Sequence, residues 1–385
     1  MFDESLNESV QFGCSLFPKP RVAGSNPAGV ANSRLVEVSA VSPAWRMTPS
    51  TRRKFGRAGF DLTAMGFGAA PIGNFKQAIS EETTKAMIDC AWDAGLRYFD
   101  TSPLYGHGLS ELRLGHYLRW RPRDEYVLST KVGRLLEPAS RCSINFAPWV
   151  NAGAFKLKLD YSYDAAMRSF EDSLQRLGLE RIDIAWIHDC DVFNHGVEKQ
   201  KVYFKQAVGG AFKALEKLRD QKLVKSIGWG LNEWEVCHEA LQQTDSDSFL
   251  LAGRYTLLEQ EALNDFLPLC EQRNVAIVIG GGLNGGILAK GARPGATWNY
   301  SPAPEWVLKK VDKIEAVCNA HKVPMAAAAL QFVMAHPAVA THCPGTRTVA
   351  QMELNFAWNT HPIPAALWAD LKRQKLLRED APVPG

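Results

Sequence analysis

From residue 53 onward, short apolar or β-branched runs alternate with longer stretches whose apolar positions recur every three or four residues, and the pattern repeats about every 30 to 40 residues. Runs at 62–67, 97–101, 126–131, 182–188, 224–229, 248–255, 275–280 and 339–344 predict strands. Helices are predicted at 80–95, 109–119, 163–177, 208–221, 232–243, 262–273, 305–335 (broken at Pro324), 348–358 and 365–377. Ser80 followed by Glu81 and Glu82 reads as an N-cap with acids in the first turn, and Gly95 as a stop. A helix between successive strands makes those strands parallel, and apolar runs without alternation mark strands covered on both faces. Eight strand–helix repeats predict an α/β chain of the (β/α)8 barrel class, a single domain over 53–378. An open doubly wound sheet of similar length is the alternative.

Residues 1–50 show neither period. They carry four basic and four acidic residues, and 24–29 are all small residues or breakers. This predicts a disordered extension, without the apolar core of a signal peptide and with too many acids for a transit peptide. Met47 is an alternative start, which would leave residues 1–46 absent from the native chain.

Composition narrows the function classes. The 385 residues are 46% hydrophobic and 22% charged, with a formal charge of +3, as in an ordinary soluble protein. No strongly basic surface supports a nucleic-acid partner. No apolar run reaches the ~18 residues a membrane span needs. The eight cysteines have no CxxC spacing and no histidine grouping suggests a metal site. Scattered single thiols suit a reducing compartment, so a cytoplasmic location is expected. The oligomeric state is not legible.

In such a barrel, chemistry sits at the C-terminal ends of the strands. Strand two ends in Phe99-Asp100-Thr101-Ser102, followed by Tyr105-Gly106-His107-Gly108; strand three ends in Ser129-Thr130-Lys131, and strand four in Ile187-His188-Asp189. Ionisable residues directly after apolar strands are costly unless paired. A tyrosine is a poor acid or base near pH 7, and a nearby ammonium lowers its pKa. Lys131 supplies that charge, Asp100 balances it, His188 orients a substrate oxygen, and Tyr105 then transfers a proton to or from a carbinol or carbonyl oxygen. Each residue alone has a plainer reading: an ion pair for Lys131 with Asp100, a turn for Tyr105, a core histidine for His188. Their conjunction favours catalysis. His107, Asp189 and Trp229 lie near the same rim and are candidate substrate contacts.

These residues resemble the Asp, Tyr, Lys and His tetrad of the aldo-keto reductase family. Phe55-Gly56-Arg57-Ala58-Gly59, Ser169 to Leu174 with Arg176-Leu177-Gly178, and Tyr255-Thr256-Leu257-Leu258 are also similar to that family, and the likeness covers about Lys54 to Asn359. It implies an NAD(P)-dependent oxidoreductase without a Rossmann domain. For the cofactor it implies Asn232, then Gly282, Leu283 and Gly285 in the loop after strand seven, and Gly345, Thr346, Arg347, Gln351 and Asn355 near the adenosine half. Many NADP-preferring members have Lys where Gly345 stands and Arg where Gln351 stands, so the expectation is NAD, with NADP as the alternative if Arg347 compensates. Many members place an aromatic that stacks on nicotinamide at the position of Gly280; Trp229 is a candidate substitute. Gly280, Gly282 and Gly285 also fit GxGxxG, but no strand follows as a Rossmann reading requires.

Gly66 to Asn74 and Ser129 to Arg134 resemble the branch of aldose 1-dehydrogenases and pyridoxal 4-dehydrogenases. That implies oxidation of an aldose of the L-fucose, D-arabinose or galactose type at C1 to the lactone. The second reading is oxidation of pyridoxal to its lactone. A nucleotide-binding regulatory barrel without turnover is the alternative of another class.

Overall fold

The computed structural model describes residues 47–385. The expectation for residues 1–46, including whether Met47 is the start, lies outside the described residues. Residues 47–50 pack on the folded body: Met47 lies against the core, and the Met65 amide donates to the Pro49 carbonyl at 3.1 Å.

Eight parallel strands form one sheet: β1 (Phe67–Gly68), β2 (Tyr98–Asp100), β3 (Val127–Val132), β4 (Ile184–His188), β5 (Ser226–Leu231), β6 (Ser248–Ala252), β7 (Ala276–Gly280) and β8 (Val339–Cys343). Neighbours in sequence are neighbours in the sheet, and parallel bridges Met65–His342 and Gly68–Gly345 join the first strand to the last. The sheet is therefore a TIM barrel, not an open sheet. The main outer helices are α1 (Glu81–Asp93), α2 (Leu109–Leu118), α3 (Tyr163–Leu177), α4 (Phe212–Asp220), α5 (Trp234–Gln243), α6 (Phe266–Gln272), α7 (Glu305–Ala320), α8 (Met325–Met334), α9 (Val349–Thr360) and α10 (Ala365–Arg373). Among the described residues no helix is long and apolar enough to cross a membrane.

Strand alternation divides the core into two layers. On β4, Ile184 and Trp186 belong to the inner cluster with Tyr98, Val278 and Ala340, whereas Ala185 and Ile187 belong to the layer between sheet and helices. This alternation decides which residues at the strand ends reach the mouth of the barrel.

Three local features differ from the sequence reading. The run at 62–67 is split: Asp61–Thr63 pairs antiparallel with Arg52–Lys54, and only Phe67–Gly68 joins β2. The helix expected from 208 begins earlier, running from Val197–Gln206 through a π-helical turn at Ala207–Ala211 into α4, where Gly210 lets the backbone approach the Tyr161 carbonyl. Pro324 separates α7 from α8, as expected. A hairpin of Arg134–Pro138 and Phe155–Leu159 follows β3 and was not foreseen, although Phe155-Lys156-Leu157-Lys158-Leu159 alternates with period two.

Candidate active site

The inward alternation of β2, β3 and β4 brings Asp100, Lys131 and His188 to one side of the barrel mouth. Lys131 is 1% exposed. Its ammonium donates to Asp100 Oδ2 at 2.8 Å, to the Thr101 carbonyl at 2.8 Å and to the Tyr105 hydroxyl oxygen at 3.2 Å. All three donors of the ammonium are thereby met, which is what makes its burial tolerable. The chain of contacts continues inward: Ser129 Oγ donates to Asp100 Oδ1 at 2.7 Å and stands 3.0 Å from the Tyr98 hydroxyl.

Tyr105 is carried by the loop after β2, which rests on the loop after β1. Gly106, at φ +65°, is the contact: a Cβ there would lie 2.3 Å from the Gly73 carbonyl oxygen. The Tyr105 ring stands edge-on to His188 with centroids 6.0 Å apart, and 5.7 Å from the ring of Trp149. The expected lowering of the Tyr105 pKa is overturned. Burial, and next the nearby Asp100 carboxylate, hold the phenol well above its ordinary value. Lys131 is already matched by Asp100, so little of its field is left to favour the phenolate.

His188 is buried, and that burial, with Lys131 and Arg134 nearby, pushes its pKa well below the ordinary histidine range. Its Nδ1 stands 3.0 Å from Ser102 Oγ, which accepts the Leu104 amide at 3.1 Å. Ser102 Oγ has no other acceptor for its proton among the described residues, and donating it to Nδ1 corresponds to the tautomer with the His188 proton on Nε2. Nε2 lies 3.4 Å from Asp189 Oδ2. The neutral ring is thus arranged as a donor beside Tyr105.

Tyr105, Lys131, His107, His188 and Asp189 line a cavity of about 550 Å³ whose other wall includes Trp149, Phe75 and Tyr300. The Nδ1 of His107 donates to the Phe155 carbonyl at 2.7 Å, and burial lowers its pKa. The Asn232 side-chain amide donates to Asp189 Oδ1 at 2.9 Å and to Asp191 Oδ2 at 3.1 Å. Trp229 does not reach the cavity. It neighbours inward-facing Gly230 on β5 and so points outward, stacking on Phe204 at 5.4 Å and Phe212 at 6.1 Å. Its proposed contacts with substrate or nicotinamide are corrected by the alternation of the strand. Ser102, Ser129, Arg134 and Trp149 were not singled out; the two serines already stood in the quoted strand-end words.

A second cleft of about 450 Å³ adjoins the first and shares Tyr105 and Asn232 with it. Gly285, Gly345 and Arg347 line it, with Gly68 and Pro71 opposite. Arg347 donates to the Phe75 carbonyl at 3.2 Å, while its Nε is buried without a partner among the described residues. An unmet buried guanidinium donor beside glycine-lined backbone fits a phosphate-bearing cofactor. The other expected cofactor residues stand beside the cleft, not in its wall. Leu283 follows Gly282 into the outer hydrophobic layer, and the hydroxyl of buried Thr346 faces Met87 Sδ at 4.0 Å. Gln351 Oε1 accepts the Arg347 amide at 2.9 Å, and buried Asn355 accepts the Asn359 side-chain amide on its carbonyl at 2.8 Å.

The family model for the aldo/keto reductase family matches residues 64–374. The chain belongs to the aldo/keto reductase family. Among curated relatives of this aldo/keto reductase, a pyridoxal 4-dehydrogenase from Microbacterium luteolum is 39% identical over 337 residues, covering 85% of this chain and 98% of that enzyme. A D-threo-aldose 1-dehydrogenase from a Pseudomonas species is 37% identical over 333 residues, with the same coverage of 85% and 98%. Solved aldo/keto reductase folds match as well. The holo form of an aldo-keto reductase from Bacillus halodurans aligns with TM-score 0.66 at 21% identity, over 86% of this chain and 97% of its own. A glycerol dehydrogenase from Gluconobacter oxydans gives TM-score 0.66 at 21% identity over 88% and 100%.

Proposed function

We propose that this reductase-family barrel oxidises a cyclic hemiacetal, an aldose at C1, to the lactone with NAD. One observation carries the reading: the Tyr105 hydroxyl, held by Lys131 at 3.2 Å, faces the His188 ring across one wall of a cavity that also takes in Arg134, Asp189 and Asn232. A substrate hydroxyl between Tyr105 Oη and His188 Nε2 is oriented by His188 and surrenders its proton to the phenolate form of Tyr105, while Lys131 steadies the oxygen that takes it. Asn232, Gly285, Gly345 and Arg347 would hold a nicotinamide dinucleotide, which would take up the hydride leaving C1.

NAD is favoured over NADP because no cationic side chain stands at 345 or 351, and Arg347 is engaged with the Phe75 carbonyl. Pyridoxal is the second reading. It is supported by the aromatic side chains of Trp149, Phe75 and Tyr300 in the cavity wall and by the 39% identical relative, a pyridoxal 4-dehydrogenase. The test follows reduced-nicotinamide absorbance with NAD or NADP against L-fucose, D-arabinose, L-galactose and pyridoxal. Turnover of an aldose with NAD, lost in Tyr105→Phe, is the expected result. No turnover of any hemiacetal, with Tyr105→Phe equal to wild type in nucleotide binding, would instead favour the regulatory barrel.

A further inference from the structure

Arg134 begins the hairpin that folds over the rim after β3. Gly133, at φ +101°, turns the chain so that Lys131 and Arg134 both line the substrate cavity. The Arg134 side chain is 11% exposed. A guanidinium carries five N–H donors. Among the described residues this one has a single partner, Asp189 Oδ2, which it meets through Nη2 at 2.9 Å, and its Nε is buried with none. That Nε is enclosed by the protein, so the donor left for a ligand in the cavity is Nη1, which has no partner among the described residues.

Asp189 is itself set for this contact. It follows His188 in a left-handed conformation at φ +48°, and its carboxylate is shared among Arg134, Asn232 and, at 3.4 Å, His188 Nε2. The Arg134–Asp189 pair therefore begins one contact away from the histidine that faces the reacting oxygen. Its charges cancel, so it does not select an anion. It offers donors and acceptors side by side, which is what the hydroxyl groups of a neutral substrate require.

We propose that Arg134, held by Asp189, is a specificity-determining residue that hydrogen-bonds the hydroxyl group beside the reacting carbon of a neutral cyclic hemiacetal. This rests on the reading that the site oxidises hemiacetals. Sugar hydroxyls and the ring hydroxyl of pyridoxal share that chemistry, and the test separates them.

Steady-state kinetics on the full chain compare L-fucose with 2-deoxy-L-fucose, and pyridoxal with 3-deoxypyridoxal; reduction of 4-nitrobenzaldehyde, which lacks the hydroxyl, is the control. Arg134→Met is expected to raise KM for the hydroxylated substrate about 10- to 100-fold and to erase its advantage over the deoxy analogue. A thermal melt shows whether the variant folds, and because Arg134 pairs with Asp189 beside His188, the deciding readout is the KM ratio between hydroxylated and deoxy substrates, which a general loss of rate leaves unchanged. Arg134→Lys, which keeps the charge with fewer donors, moves the same way by less. Equal losses on hydroxylated and deoxy substrates, or an unchanged KM, would overturn the assignment alone. A wild-type enzyme that reduces nitrobenzaldehyde but oxidises no hemiacetal would overturn the functional reading and the assignment together.

Discussion

The Cβ that Gly345 lacks would stand 2.9 Å from Cγ of Pro71, both residues lining the second cleft. The missing side chain at 345 is thus coupled to an element on the far side of the barrel seam. Gly345→Lys is expected to cost about 1–3 kcal/mol through overpacking, and not simply to add a phosphate contact. Pro71→Ala combined with Gly345→Lys should recover part of that stability and raise NADP use by about tenfold or more, ~1.4 kcal/mol. Thermal melts and kcat/KM with both nucleotides test this. A fully stable, NADP-using Gly345→Lys single variant would show that Pro71 yields freely.

The pH dependence follows from Tyr105 and His188. Burial and then Asp100 keep the Tyr105 phenol well above its ordinary value of 10.0, so the form able to accept a proton grows steadily as pH rises. Oxidation should therefore climb through the neutral range into the alkaline one, while reduction, which needs the phenol, stays level there. Because His188 is held neutral well below 6.5, neither direction should show a step between about pH 6 and 8. Rate profiles in both directions decide it; an oxidation plateau already reached near neutrality would mean that the phenol is acidified.

Lys131 and Asp100 meet at 2.8 Å with side chains 1% and 6% exposed. Lys131→Met removes one partner and strands a buried carboxylate, with an expected loss of about 3–5 kcal/mol in urea denaturation. Tyr105→Phe, which removes only the hydroxyl, should cost about 1 kcal/mol or less while abolishing turnover. Comparable stability losses in the two variants would contradict the desolvated pair.

Ser102 is the hydrogen-bond partner of His188 Nδ1. Ser102→Ala should lower kcat by about tenfold, near 1.4 kcal/mol, with little change in KM, because the ring remains but its Nδ1 loses the partner at 3.0 Å. An unaltered kcat would show that the ring is oriented by its packing alone.

Trp229 contributes packing. Trp229→Ala is expected to lose about 3–5 kcal/mol of stability, because the stack between Phe204 and Phe212 is emptied. Trp229→Phe should keep KM for substrate unchanged; a large KM effect in that variant would reinstate a role at the cavity.

The barrel was legible because parallel strands buried on both faces leave uninterrupted apolar runs, and the tetrad because its members stand where those runs stop. Asp100, Lys131 and His188 each occupy an inward position at a strand end, so strand and side-chain period together place them. Trp229 was misplaced because a one-residue register decides which face of β5 it takes. The direction of the Tyr105 shift was also beyond a linear reading: it depends on how completely Asp100 neutralises Lys131, a matter of 2.8 Å. Arg134 and Trp149 act from a hairpin and a loop after β3, where no single period runs long enough to announce them. Arg347 could be placed at the cleft from its neighbours in sequence, but not the carbonyl it is tied to, which lies on a loop 272 residues away.

The hairpin of Arg134–Pro138 and Phe155–Leu159 joins the barrel next to Gly133 and Asp160 and reaches the catalytic loop through the Phe155 carbonyl and His107. It carries Arg134 and Leu157 into the cavity but holds none of Asp100, Tyr105, Lys131 or His188. If Arg134 selects as proposed, part of the selection is carried by a segment that holds none of the four residues of the tetrad, and it is tied to them only through Asp189 and His107. An exchange of this one hairpin would then vary which molecule is accepted from two anchoring points alone.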